Sequence, residues 1–111
     1  MIQKAIRLSP QDRMLHEFYF TLASAHFLAG RYVEAVNAAR HSLNLVAGQP
    51  GAWRIIAASQ AFLGQLDDAR ASLSEMVRLA PGLTGDAFRS FMPDHIADKY
   101  VAGLKLAGWP G

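Results

Sequence analysis

Residues 53–81 read WRIIAASQAFLGQLDDARASLSEMVRLAP, and their pattern indicates the fold class most clearly. Its apolar residues recur every three or four positions, which is the period of a helix face, and they do not alternate as in a strand. Gly64 follows the first apolar run, where a left-handed helix end favours glycine, and Pro81 follows the second run. The stretch therefore predicts two helices joined by a short turn.

The same pattern occurs 34 residues earlier, in the sequence YFTLASAHFLAGRYVEAVNAARHSLNLVA of residues 19–47. Aromatic, small and glycine residues fall on residues of the same kind when the two stretches are aligned. The matched pairs are Tyr19 with Trp53, Leu22 with Ile56, Ala23 with Ala57, Gly30 with Gly64, Tyr32 with Leu66, Ala35 with Ala69 and Leu43 with Val77. The chain therefore contains two copies of one helix-turn-helix unit.

A unit of this length with these landmarks resembles the tetratricopeptide repeat. The second unit carries the aromatic, apolar, small, glycine and proline positions of that pattern at Trp53, Ile56, Ala57, Gly64 and Pro81. The first unit departs from the pattern because it has no closing proline near Ala47. The resemblance implies an all-α fold, a right-handed superhelical array of helix-turn-helix repeats with a C-terminal capping helix.

The 111 residues have room for one domain. The resemblance divides this domain into the end of a truncated repeat at 2–10, repeat 1 at 13–47, repeat 2 at 50–81 and a cap at 84–107. The predicted helices cover about 2–8, 13–29, 31–46, 52–63, 66–79, 84–91 and 94–106. Because repeats bury their faces only against neighbours, a chain that starts within a repeat indicates a piece of a longer protein.

The truncated repeat also suggests self-association. Ile2, Ile6 and Leu8 would be exposed on the face that the missing helix covers, and exposed apolar patches tend to find partners. A homo-dimer through this N-terminal repeat is therefore one expectation.

The closing phrase DHIADKYVAGLKLAGWP at residues 94–110 gives the last helix one apolar face, as a terminal cap requires. This phrase resembles the C-terminal tail of some bacterial signalling proteins. Those proteins carry a class III adenylate or guanylate cyclase domain, or a transcription-regulator domain, ahead of tetratricopeptide repeats. The resemblance implies an alternative function, a regulatory or dimerisation region of such a cyclase, with no catalysis in this fragment.

The composition excludes several kinds of reactive site. The chain has no cysteine, which rules out disulfides, thiolate zinc sites and a cysteine nucleophile. The histidines lack metal-ligand spacing, and we interpret His26 as a packing residue and His41 and His95 as surface or capping groups. Asp67 and Asp68 fall in the first turn of a helix, where the helix dipole favours acids. We predict no catalytic residue, no metal and no cofactor.

Charge and hydropathy exclude two further classes of partner. Eleven Lys and Arg against nine Asp and Glu give a net charge of +2, and the basic residues are scattered, so we expect no nucleic acid. No apolar run approaches the roughly 20 residues that a membrane span needs, so we expect no membrane. No signal peptide is visible, which makes a cytoplasmic location the default expectation.

Surface recognition remains as the function that the resemblance implies. In this family the first helix of each repeat lines a concave groove that binds peptides. The residues that would face the groove are Glu17, Phe20, Ser24 and Phe27 from the first unit, and Arg54, Ala58, Ala61 and Phe62 from the second.

Some chaperone-binding members hold a C-terminal carboxylate with a clamp of Lys, Arg and Asn. That clamp is absent here, because Phe20, Ser24 and Ala58 stand at matching positions and only Arg54 is basic. We expect a protein or peptide partner, or another domain of the parent chain. The alternative is a scaffold whose groove binds nothing.

Overall fold

The computed structural model describes residues 10–111, which form helices and connecting turns and contain no strand. The predicted helix at 2–8, with Ile2, Ile6 and Leu8, lies outside this part of the chain. The helices are α1 Pro10–Leu28, α2 Tyr32–Leu45, α3 Pro50–Phe62, α4 Leu66–Leu79, α5 Gly85–Phe88 and α6 Asp94–Leu106. The all-α class is confirmed, and α4 and α6 have the predicted bounds.

Two helices begin earlier than the sequence predicted. Pro10 and Pro50 are the first residues of α1 and α3, whereas the sequence placed both prolines between helices. Amides in the first turn have no acceptor within the helix, and the fixed φ of proline suits a helix. Proline therefore costs nothing at these two positions and starts the helix instead of preceding it.

The turns inside the two repeats have the same geometry. Gly30 and Gly64 have φ values of +79° and +80°, in the left-handed region that favours glycine. The following amides donate back to carbonyls five residues earlier, Arg31 to His26 and Gln65 to Gln60, each at 2.9 Å. This is a glycine-ended helix of the Schellman type, and it confirms the repeat turn.

Small residues lie where the helices of each repeat meet. α1 packs against α2, α3 packs against α4, and α2 packs against α3, so the two repeats share one core. Ala23 and Ala35 in the first repeat, and their counterparts Ala57 and Ala69 in the second, are completely buried. Alanine lets helix backbones approach closely, which explains why these positions match between the units.

The cap packs mainly on α3 and makes only a few contacts with α4. Gly103 lies at a close contact between the two helices: a Cβ atom added there would lie 2.9 Å from Ala58 Cβ and 2.9 Å from Phe62 Cε2. These distances are too short for real Cβ contacts. A glycine in the middle of α6 therefore allows this helix to lie against α3.

The segment around α5 closes the end of the core. α5 is shorter than the predicted 84–91, because the amides of Arg89, Ser90 and Phe91 donate to carbonyls three residues earlier in tight turns. Trp109 is buried at this end, with 6% of its surface exposed. Its ring centroid lies 5.5 Å from that of Phe88.

Candidate protein-interaction surface

The eight predicted groove residues differ in how deeply they are buried. Phe27, Ala58 and Ala61 are buried, and Arg54 is only 9% exposed. The remaining four are accessible to different degrees: Phe20, Ser24 and Phe62 are half-buried, and Glu17 is exposed. The groove that the family pattern implies is therefore open over only part of its length.

Helix α6 covers the closed part. The ring of Tyr100 stacks on Phe27 at a centroid distance of 4.3 Å, and Gly103 lies against Ala58. In the described chain these groove positions contact the cap, so they are not open to a partner. Of the predicted face, only Glu17, Phe20, Ser24 and Phe62 keep accessible surface.

Lys99 attaches the cap to the end of α1. Its Nζ donates to the carbonyl oxygen of Phe27 at 2.7 Å, and it lies 3.5 Å from that of Leu28. Carbonyls in the last turn of a helix lack helical donors, and the helix dipole favours a cation there. The sequence carries no signal for this contact, because Lys99 and Phe27 lie 72 residues apart in the chain.

Arg54 lies beneath the cap, surrounded by aromatic rings. Its Cζ is 4.7 Å from the ring centroid of Tyr100, 5.6 Å from that of Phe88 and 5.9 Å from that of Phe91. Its Nε has no hydrogen-bond partner within residues 10–111. The ion pairs found in that range involve other arginines and leave Arg54 without a carboxylate. The site therefore contains a buried cation that no anion of the described chain neutralises.

Burial shifts the titration of both polar groups at this contact. Burial lowers the pKa of the Arg54 guanidinium, and the interaction with Tyr100 partly opposes this shift. Burial raises the pKa of the Tyr100 hydroxyl, and Arg54 and Ser24 partly oppose that shift. The raised pKa keeps Tyr100 neutral at neutral pH, and an arginine guanidinium stays protonated in proteins.

The open part of the groove is a cavity of about 600 Å³ between the first half of α1 and the start of α3. We call it the α1–α3 cavity. Its walls come from α1, the α2–α3 connection and the first turn of α3, at His16, Glu17, Phe20, Thr21, Gly48, Gln49, Pro50 and Gly51. Two of these residues, Glu17 and Phe20, were predicted from the sequence. Residues 48–51 of the wall were not predicted, because the repeat pattern places no ligand contact between repeats.

Hydrogen bonds fix that wall. Gln49 Nε2 donates to the carbonyl oxygen of Ser42 at 3.1 Å and to that of Val46 at 2.5 Å. His16 Nδ1 lies 2.8 Å from Ser42 Oγ, which connects α1 to the end of α2. A network of hydrogen bonds therefore borders the cavity.

Gly51 lies between the Phe20 ring and the guanidinium of Arg54. A Cβ atom at Gly51 would lie 3.1 Å from the Phe20 ring and 3.6 Å from Arg54 Nη1. A side chain at this position would crowd the Phe20 ring, so glycine allows α1 and the start of α3 to lie close together. Arg54 itself is not among the residues that line the cavity.

The other polar candidates have structural partners. His26 is half-buried and accepts a hydrogen bond from Arg31 Nε at 2.9 Å, while His41 stacks on Tyr19 at 4.9 Å. Across residues 10–111 no group of three or more His, Asp or Glu side chains could hold a metal ion. In the same range, no helix combines the length and the apolar character that crossing a membrane requires.

Comparison with known families places the chain among repeat proteins. The family model described as anaphase-promoting complex, cyclosome, subunit 3 matches residues 4–76, which is well over half of the chain. No curated protein matches it. The family is of the tetratricopeptide type, and repeats of this type generally mediate protein-protein interactions and have no catalytic activity. The match ends within α4, so the likeness of residues 94–110 to cyclase-linked tails stays a prediction. The chain belongs to the anaphase-promoting complex, cyclosome, subunit 3 family of tetratricopeptide-type repeats.

Proposed function

We propose that the chain is a protein-protein interaction module that binds an extended segment of a partner protein in the α1–α3 cavity. The observation that carries this proposal is that one part of the concave surface is covered by the cap and another part is open. α6 covers the face around Phe27 and Ala58, and the cavity beside Phe20 stays open.

The dimensions and chemistry of the cavity suit a peptide. Its volume of about 600 Å³ lies within the usual range of ligand sites, roughly 300–1,000 Å³. Phe20 offers an apolar wall, and Glu17 and Thr21 offer polar groups at the rim. Peptide grooves combine these two elements, since apolar pockets give affinity and a few polar groups fix the register.

Selection from a displayed peptide library on the purified chain tests this function. We expect an enriched sequence family whose affinity falls at least about tenfold, or 1.4 kcal/mol, on Phe20→Ala. Leu66→Ala on α4 is the matched control, because Leu66 is also a partly exposed apolar residue but lies outside the cavity. If no family is enriched, or if the selected peptides bind Phe20→Ala unchanged, the proposal fails.

A second candidate function is that of a regulatory or dimerisation region of a class III nucleotide cyclase. In that case the chain contacts other parts of the same parent protein. This candidate is supported by the likeness of residues 94–110 to the tails of such proteins. The cap formed by residues 94–110 covers part of the proposed binding surface. A cap in this position controls access to that surface. Sequencing the gene upstream of Met1 decides between the candidates: a cyclase domain in the same reading frame favours the second one, and a different domain there removes it.

Self-association remains a further proposal for the N-terminal side. Ile2, Ile6 and Leu8 lie outside the described residues, but the neighbouring surface of α1 is apolar and open. Met14 is 70% exposed and Phe18 is 58% exposed. Sedimentation equilibrium tests this proposal, and a monomer at millimolar concentration contradicts it.

A further inference from the structure

We propose that His16 offers its Nε2 as a hydrogen-bond acceptor to the α1–α3 cavity and receives there a main-chain N–H of the bound partner segment. Ser42 and Gln49 are positioning residues, which hold the imidazole in place and in the tautomer with the proton on Nδ1. This inference rests on the proposed function, because it names one contact between the same cavity and the segment.

The polar cluster of His16, Ser42 and Gln49 does not recur in the second repeat. The residues 34 positions later are all apolar, namely Pro50, Met76 and Leu83. Met76, the counterpart of Ser42, is completely buried, so an apolar side chain serves the packing at this position. Burying a hydroxyl there instead costs free energy unless it is well hydrogen-bonded. Because the repeat fold does not need this cluster, its polar groups indicate a role in the cavity that His16 lines.

The hydrogen bonds of Ser42 determine the tautomer of His16. The Oγ of Ser42 donates its single hydrogen to the carbonyl oxygen of His16 at 3.1 Å, since a carbonyl can only accept. The Nδ1 of His16 lies 2.8 Å from the same Oγ, so Nδ1 is the donor in this second bond. A proton on Nε2 would turn the hydroxyl toward Nδ1 and leave one bond where there are now two. Because buried polar groups are normally satisfied, the proton lies on Nδ1.

Gln49 keeps the hydroxyl of Ser42 in place. Its Nε2 donates to the carbonyl oxygens of Val46 and Ser42, and this fixes the orientation of the side-chain amide because both oxygens only accept. The same Nε2 lies 3.2 Å from Ser42 Oγ. Ser42 is completely buried, so its hydroxyl does not reach a ligand and acts only through His16.

The second ring nitrogen of His16 is open to the cavity. The side chain is half-buried and lines the cavity. Within residues 10–111 its Nε2 has no hydrogen-bond partner, and the buried side-chain atoms that lack one in this range are Arg54 Nε and Ser59 Oγ. Solvent therefore reaches Nε2. With the proton on Nδ1, this atom carries a lone pair that accepts a hydrogen bond.

The chemistry of the α1 wall favours a partner group that donates. Glu17, the next residue of α1, also presents only acceptor atoms, and no ion pair within residues 10–111 includes it. An extended segment has main-chain N–H groups that no helix or sheet satisfies, so they need an acceptor when they leave water. The Phe20 ring on the same wall offers an apolar surface to the neighbouring side chain of the segment.

The tautomer is measured on the free chain. Long-range ¹H–¹⁵N correlation spectra of the ¹⁵N-labelled 111-residue chain at pH 8, above the usual titration range of histidine, show which nitrogen of His16 carries the proton. We expect the proton on Nδ1 in the wild type and a loss of this preference in Ser42→Ala. Ser59→Ala is the matched control, because Ser59 is also completely buried but has no hydrogen-bond partner within residues 10–111. A proton on Nε2 in the wild type overturns the inference.

Two uncharged probes that differ in one N–H test the contact itself. N-methylphenylacetamide carries an aromatic ring and one peptide-type N–H, and N,N-dimethylphenylacetamide carries the same ring without the N–H. Binding is followed by the NMR shifts of the amides of Gly48 and Gly51, which line the cavity. We expect the probe with the N–H to bind about fivefold more tightly, which is the size of one neutral hydrogen bond.

Variants assign this preference to His16. His16→Phe removes the acceptor and keeps an aromatic ring, so the preference should disappear. His41→Phe is the matched control, because His41 stacks on Tyr19 outside the cavity, and it should leave the preference unchanged. Ser42→Ala should reduce the preference, since the imidazole is no longer held. Circular dichroism checks the fold of each variant.

The outcomes distinguish this inference from the proposed function. Equal binding of the two probes to the wild type, or a preference that persists in His16→Phe, overturns the hydrogen bond to His16. Binding of neither probe also overturns it. Displayed peptides that still depend on Phe20 would preserve the proposed function in each case, and failure of the display selection as well removes both.

Discussion

The ring of Tyr100 in α6 lies parallel to the ring of Phe27 in α1, with centroids 4.3 Å apart and an angle of 4° between the planes. Tyr100 also lies over the guanidinium of Arg54 in α3. One side chain of the cap therefore contacts the first helix of both repeats, on the face where this repeat type binds ligands. The cap stabilises the array and also limits which part of its surface a partner can reach.

Removing that side chain should destabilise the whole chain. Tyr100→Ala deletes a nearly buried ring from a stack and leaves a cavity, which costs about 3–5 kcal/mol. Urea unfolding followed by circular dichroism measures the loss. Phe91→Ala serves for comparison, because Phe91 is largely exposed and its removal should cost less than about 1 kcal/mol. Equal losses for the two variants would contradict the role assigned to Tyr100.

The close approach of α6 to α3 leads to a second prediction, at Gly103. Alanine would normally improve a helix interior by up to about 1 kcal/mol. Here the new methyl group would lie 2.9 Å from Ala58 Cβ and 3.1 Å from Ala58 Cα, and the backbone atom cannot move aside alone. We therefore expect Gly103→Ala to lower the free energy of unfolding by about 1–3 kcal/mol.

Gly82→Ala is the control for Gly103→Ala, since its added Cβ meets nothing. Thermal unfolding of both variants provides the comparison. A Gly103→Ala protein that melts at or above the wild-type temperature would show that α6 does not lie this close to α3.

A third prediction concerns the bond between Lys99 and the end of α1. Lys99→Met keeps much of the apolar stem and removes the donor to the Phe27 carbonyl, so it should cost about 0.5–1.5 kcal/mol. Lys105→Met in the last turn of α6 is the matched control and should change the free energy of unfolding by less than about 0.5 kcal/mol. A larger effect at Lys105 than at Lys99 would refute the assignment.

The turns of the repeats were predictable because their cause is local. Gly30 and Gly64 have φ values of +79° and +80°, which other residues adopt only with strain, so the sequence had to place glycine there. The spacing of alanines marked the helix contacts in the same way. These features determine the all-α fold and the helix order.

The position of the cap was not predictable, because it depends on contacts between residues far apart in the chain. Whether Arg54 faces solvent or the rings of the cap depends on where α6 packs, and no local pattern encodes that choice. The one available signal was Gly103, an isolated glycine inside a helical pattern, which often marks a close approach. The α1–α3 cavity likewise follows from what α6 leaves uncovered.

The pH dependence of stability tests the burial of Tyr100 directly. Because burial raises the pKa of its hydroxyl above the ordinary value of 10.0, the folded chain keeps this proton to higher pH than the unfolded chain does. The unfolded state then binds fewer protons, so the free energy of unfolding falls as the pH rises above about 10. Below that pH the contribution of Tyr100 is fully present. Urea unfolding between pH 8 and 11 should show this decline in the wild type and a smaller one in Tyr100→Phe, with Tyr19→Phe as the control. Parallel profiles for wild type and Tyr100→Phe would place the hydroxyl in solvent and the cap away from Arg54.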